Sequence, residues 1–114
     1  MIAMKYGAGE ESGALNAEGY PVYLGYATSN GDVDLKCPVN RFRFLMFVGY
    51  ASSTIYATEI VSAEDDSMFV SGWPVVLNAY ANGTERRLTL TYTEDLTINV
   101  SSRSSLNVRI YGIY

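Results

Sequence analysis

An all-β fold is what this sequence predicts: an antiparallel β-sandwich, jelly-roll-like in its winding, behind a Gly-rich N-terminal arm. Three observations carry that expectation. After Tyr20 the apolar residues recur with a period of two, and no segment carries an apolar stripe at helical spacing. The alternating runs are roughly five to nine residues long, with turn residues about every eight to twelve, the rhythm of sandwiches and jelly rolls. Composition supplies the third, because 48% of the chain is hydrophobic and only 18% is charged, which suits a packed core. At 114 residues the chain holds one domain. A domain of this size buries about two-thirds of its unfolded surface without help from metal or disulfide.

Residues 1–19 stand apart, because Gly7, Gly9, Gly13 and Gly19 interrupt any sustained pattern. They read as an extended arm or linker, and residues 20–114 as the sandwich. Val22, Leu24 and Tyr26 share one face of a first strand, for which Pro21 is an acceptable start. Ser29-Asn30-Gly31-Asp32 is a hairpin signal, since Asn-Gly accepts the positive φ angles of a type I′ turn. In the second strand Val33 and Leu35 alternate with Asp32, Asp34 and Lys36. Arg41 to Tyr50 is almost continuously apolar from Phe42 onward, which predicts a central strand buried on both faces. Ser52-Ser53 turns the chain into the β-branched run Thr54 to Val61. An acidic loop from Ala63 to Ser67 leads through Met68 to Val70 and a turn at Gly72-Trp73-Pro74. Val75 to Tyr80 is the next strand, closed by Asn82-Gly83. Leu88, Leu90 and Tyr92 then face one way between Arg87, Thr89 and Thr91, and Leu96, Ile98 and Val100 continue that face beyond Glu94-Asp95. Leu106, Val108 and Ile110 form a last strand after a serine-rich loop. The expected core between the sheets is Phe42, Phe44, Met46, Leu88, Leu90, Ile98, Val108 and Ile110.

Composition also narrows the chemistry. Twelve acidic against eight basic residues give a net charge of −4, where nucleic-acid binding needs clustered positive charge. There is no histidine, which removes the commonest general base, the Ser/His and Cys/His pairs, and most zinc and iron sites. The expectation is a protein that is no enzyme and holds no cofactor. Cys37, the only cysteine, reads as a small, partly buried apolar residue. No apolar run approaches the roughly 18 residues that span a bilayer, and no secretory signal is visible. Synthesis in the cytoplasm without membrane insertion is the matching expectation.

Glu64-Asp65-Asp66 and Glu94-Asp95 lack the alternating ligands and turning glycine of a hard-cation loop and read as solvated turns, so no metal is expected. Arg86, Arg87, Arg103 and Arg109 either gather into a small basic patch or each keep a solvated head over an apolar stem. Trp73 either caps the core or stands exposed as a stacking platform for a sugar ring. Tyr26 and Tyr92 fall on inward faces, whereas Tyr23, Tyr56, Tyr80 and Tyr111 fall outward. That many outward tyrosines point to an interface.

Between Tyr20 and Val48 the chain combines Leu24-Gly25-Tyr26, the Ser29-Asn30-Gly31 turn, the alternating Asp32-Val33-Asp34-Leu35, Asn40 and the apolar run Phe44-Leu45-Met46-Phe47-Val48. It closes with Val108-Arg109-Ile110-Tyr111-Gly112-Ile113-Tyr114. This arrangement, spanning Tyr20 to Tyr114, resembles the C-terminal domains of bacteriophage tail fibres and related receptor-binding proteins. The resemblance implies a β-sandwich at the distal end of a fibre, often trimeric, which binds a polysaccharide or protein on the bacterial surface. Its motifs carry no catalytic residue. The function expected is therefore recognition by a tail-fibre tip in the virion. Trp73, Glu64, Asp65 and Asp66 are its expected ligand contacts, and Tyr23, Tyr80 and Tyr111 its contacts within a homotrimer. The arm would dock onto other tail proteins. A structural virion protein, of the decoration or baseplate type, is the alternative. The long repetitive shaft of a fibre is not in this sequence, which reads either as a tip or as a small separate virion protein.

Overall fold

The alternation in the sequence becomes eight strands in the computed structural model, which describes residues 21–28, 30–81, 83–103 and 106–114. The expected arm over residues 1–19 lies outside the described residues. In chain order the strands are β1 (Val22–Ala27), β2 (Gly31–Asp34), β3 (Phe44–Ala51), β4 (Thr54–Ser62), β5 (Val75–Ala81), β6 (Thr84–Glu94), β7 (Thr97–Arg103) and β8 (Asn107–Ile113). They form two antiparallel four-stranded sheets, sheet A in the order β1-β8-β3-β4 and sheet B in the order β2-β7-β6-β5. The fold is an all-β sandwich. The pairs β1–β8 and β2–β7 join strands far apart in the sequence, while β3–β4 and β5–β6–β7 are local hairpins.

The inner faces of both sheets build one core. Leu24, Leu45, Phe47, Val108 and Ile110 come from sheet A, and Val33, Leu77, Leu88, Leu90, Ile98 and Val100 from sheet B. Loop residues Val39, Phe42, Ala63, Phe69 and Leu106 close its margins. No polar or charged side chain among the described residues is buried, so burial here is almost purely hydrophobic.

Three expectations need correction. Asn30-Gly31 does reverse the chain, with Gly31 at φ +137, but β1 and β2 are not hairpin partners. The turn carries the chain from sheet A to sheet B, because β8 occupies the edge of β1 and β7 that of β2. Central β3 is not buried on both faces: Leu45 and Phe47 point inward, while Phe44 is 38% exposed and Met46 only half-buried. Phe42 lies ahead of the strand, at the end of a 3₁₀ turn over Val39–Arg41, so its inward position does not set the parity of β3. Leu96 occupies the β6–β7 turn and is exposed, although its carbonyl accepts the Leu35 N–H at 2.8 Å.

Two bulges reverse two tyrosines. In β1 the register with β8 slips between Tyr23 and Gly25. Leu24 is buried, and a Cβ on Gly25 would meet Val33 at 3.1 Å, so both face inward and Tyr26 turns out to solvent. In β4 the slip opposite Gly49 and Tyr50 directs both Tyr56 and Ala57 towards the core, where Arg86 lies 5.1 Å from the Tyr56 ring centre. An extra residue on one strand of a ladder shifts every later side chain to the other face.

Edge strand β4 carries Glu59 opposite the buried Phe47, on the inward side of the sheet, with its carboxylate reaching solvent at the margin. At the other end of sheet A the Phe42 ring lies directly on Gly112, where an added Cβ would come within 2.5 Å of the ring. The same ring packs against Tyr114 at 5.0 Å between centroids.

Two outcomes follow from this packing. Gly112→Ala should cost about 1–3 kcal/mol, because the new methyl overpacks Phe42. In a Phe42→Leu background the penalty should shrink, as denaturant unfolding of the four-member cycle would show. The second outcome concerns Tyr92, whose hydroxyl donates to Asp95 Oδ1 at 2.6 Å and whose pKa is pushed up to about 12, chiefly by that bond to a carboxylate. The folded chain then holds the phenolic proton more tightly than the unfolded chain, whose value is near 10. The stabilisation is complete below pH 10 and fades as the pH rises towards 12. Tyr92→Phe should cost about 0.5–1.5 kcal/mol at pH 7 and lose less stability than the parent between pH 10 and 12 in urea titrations.

Candidate functional site

The segment from Ala63 to Pro74 crosses from sheet A to sheet B and is ordered by its own backbone. Ser67 N–H donates to Glu64 O, Ser71 N–H to Ser67 O, Gly72 N–H to Phe69 O and Trp73 N–H to Met68 O, all at 2.9–3.1 Å. Phe69 anchors it, buried 5.4 Å from the Phe47 ring and 6.0 Å from that of Tyr92. Phe69 thus fills the core margin that Trp73 was a candidate for, and Trp73 stands 60% exposed.

Beside Trp73 the crossing leaves an open cleft of about 590 Å³. Trp73, Met68 and Val76 give it apolar walls, and Glu59 and Asp66 give it carboxylates. Of the expected ligand contacts, Trp73 and Asp66 therefore share one cleft. Glu64 and Asp65 are exposed on the same loop but do not line it. Glu59 was not foreseen, because only the strand order brings edge strand β4 next to the start of β5.

A second surface lies on the outer face of sheet A. Cross-strand register sets Tyr23, Tyr111, Met46 and Ile60 in one row, and Tyr26, Arg109, Val48 and Thr58 in the next. Tyr23 and Tyr111 meet edge-on at 5.8 Å between centroids, and Lys36 Nζ sits 4.8 Å from the Tyr23 ring centre. Arg109 lies over Tyr50 at 4.8 Å, and hydrogen bonding to the phenols of Tyr50 and Tyr111 pushes its pKa further above the usual arginine value. Burial, followed by the neighbouring Tyr26, pushes the Tyr23 phenol up from its ordinary value. The outer face of sheet B is dressed differently: Asp32, Asn99 and Thr91 form one row, with Asn99 Nδ2 donating to Asp32 Oδ1 at 3.1 Å.

The expected interface tyrosines are thus divided. Tyr23 and Tyr111 are neighbours on sheet A, whereas Tyr80 projects, 72% exposed, from the outer face of sheet B. The arginines are divided as well. Arg109 lies on the outer face of sheet A, Arg87 on that of sheet B, with Asn78 and Arg103 as its register partners on either side, and Arg86 over Tyr56 at the core margin. Among the described residues there is no cluster of three or more groups able to hold a metal ion, and no helix is long and apolar enough to cross a membrane.

Comparison with protein-family models, with curated proteins and with solved structures gives no match to this chain. The arrangement itself offers an indole face beside two carboxylates. Such a pairing can stack on the C–H side of a sugar ring and accept hydrogen bonds from its hydroxyls. Because the indole projects and Phe69 is packed, Trp73→Ala should change stability by less than about 1 kcal/mol and Phe69→Ala should cost about 3–5 kcal/mol. Thermal melts of the two variants would show the contrast.

Proposed function

We propose that this chain is a non-enzymatic recognition domain, the receptor-binding tip of a phage tail fibre, which adsorbs to a polysaccharide or protein on the bacterial surface. The observation that carries the reading is the cleft in which an exposed Trp73 stands beside Asp66 and Glu59 on a loop pinned by Phe69. Binding energy in such a shallow site is small for each copy. A homotrimer at the end of a fibre multiplies it, and multivalent presentation raises avidity about 10²–10⁴-fold. Residues 1–19 would serve as the attachment to other tail proteins in the virion.

A second reading is a structural virion subunit, and the aromatic outer face of sheet A favours it, since large apolar faces mark contacts with other proteins. The test is to probe an array of bacterial surface polysaccharides with the purified chain. Binding that falls at least tenfold for Trp73→Ala, at unchanged melting temperature, is the expected result. Stable capture only by other tail proteins, with no glycan bound, would replace the first reading with the second. Light scattering should give three times 12.6 kDa for the trimer.

A further inference from the structure

The outer face of sheet A holds a groove that the reading above does not use. One concavity of about 360 Å³ is lined by Tyr23, Tyr26, Tyr50, Arg109 and Tyr111. A neighbouring concavity of about 620 Å³ shares Tyr50, Arg109 and Tyr111 and continues to Ile55 at the β3–β4 hairpin. Arg109 therefore sits at the junction of one elongated groove, with tyrosines on either side. The groove shares no residue with the Trp73 cleft.

We infer that this groove binds an acidic oligosaccharide, with a uronate carboxylate on the Arg109 guanidinium and pyranose rings against the surrounding tyrosines. Charge is the first argument. Although the chain carries a net −4, no carboxylate of the described residues lies within ion-pair distance of Arg109, and the nearby Lys36 adds a second cation. A guanidinium has five N–H donors in a planar fork, the geometry that holds a carboxylate by two parallel bonds.

Desolvation is the second argument. Whatever covers this groove strips water from Arg109, which is costly unless the cover brings an anion. An apolar partner surface brings none. The third argument is shape and chemistry. Tyrosine faces accept the C–H side of a sugar ring, and phenolic hydroxyls both donate to and accept from sugar hydroxyls. A groove with the cation in its middle suits a chain of sugars rather than a single one.

The inference rests on the recognition reading for the ligand being a glycan, and adds its charge and its place. The experiment titrates the full chain with tetrasaccharides of galacturonate, glucuronate and mannuronate, and with their carboxyl-reduced counterparts, by calorimetry. At least one uronate should bind tenfold or more tightly than its reduced form, and more weakly as salt rises. Arg109→Gln should abolish that preference at unchanged melting temperature, Arg109→Lys should keep part of it, and Thr91→Ala, on the outer face of sheet B, should leave it intact. Equal binding of acidic and reduced sugars, or a preference unchanged in Arg109→Gln, would overturn the inference while the recognition reading stands. A drop in solution mass on Arg109→Gln would overturn it too, in favour of a contact between copies. Failure of every glycan on the polysaccharide array would remove the recognition reading and this inference with it.

Discussion

Sheet A exists only because β8 lies in its middle. The last strand pairs β1 on one side and β3 on the other, and without it β1 has no hydrogen-bonded neighbour. The residues of β8 answer this position one by one. Val108 and Ile110 are fully buried, Gly112 leaves the space that the Phe42 ring fills, and Arg109 and Tyr111 dress the opposite side. Strand pairing of such long range makes this sheet the part of the fold that is costly to close in chain entropy, and it gains its stability from the core beneath it.

The two sheets share a core but differ outwardly, and that difference organises the candidate sites. Sheet B turns Asp32, Asn99, Thr91 and Thr89 to water, an ordinary solvated face. Sheet A turns out Tyr23, Tyr111, Met46 and Ile60, with Arg109 among them. The Trp73 cleft belongs to neither face. It arises where β4 and β5, the edge strands of the two sheets, lie on the same side of the sandwich and the crossing loop folds over the gap. A rigid frame with its chemistry on a loop and on a groove is how β scaffolds separate stability from recognition.

Much of the frame was legible in the sequence, for a physical reason. Leu88, Leu90, Ile98, Val108 and Ile110 sit in stretches without a bulge, where alternation alone assigns the face. Parity failed wherever the chain gained or lost a step. Period-2 spacing carried on from Phe42 puts Phe44 and Met46 inward, but a 3₁₀ turn separates that residue from the strand. Tyr26 and Tyr56 were inverted by bulges, which leave no mark in hydropathy. The Asn-Gly turn foretold a reversal and not its partner sheet. At the candidate sites, the nearness of Trp73 and Asp66 was readable because one loop carries both, whereas Glu59 and the setting of Arg109 depend on which strands become neighbours. Strand order is the information that periodicity lacks.

Glu59 has a consequence beyond the cleft it lines. Strand β4 is nine residues long, has one unpaired edge and carries Ile55 and Ile60 exposed, the features of a template for strand addition. A foreign strand that docked there would extend the inner layer of the sandwich over this residue. It would have to enclose an ionised carboxylate opposite Phe47, which is costly unless the newcomer brings a cation. The carboxylate acts as a guard on the open edge. Many copies crowded together during synthesis are thereby steered away from endless edge-to-edge growth, and the protection comes from one charge on a strand that otherwise invites it.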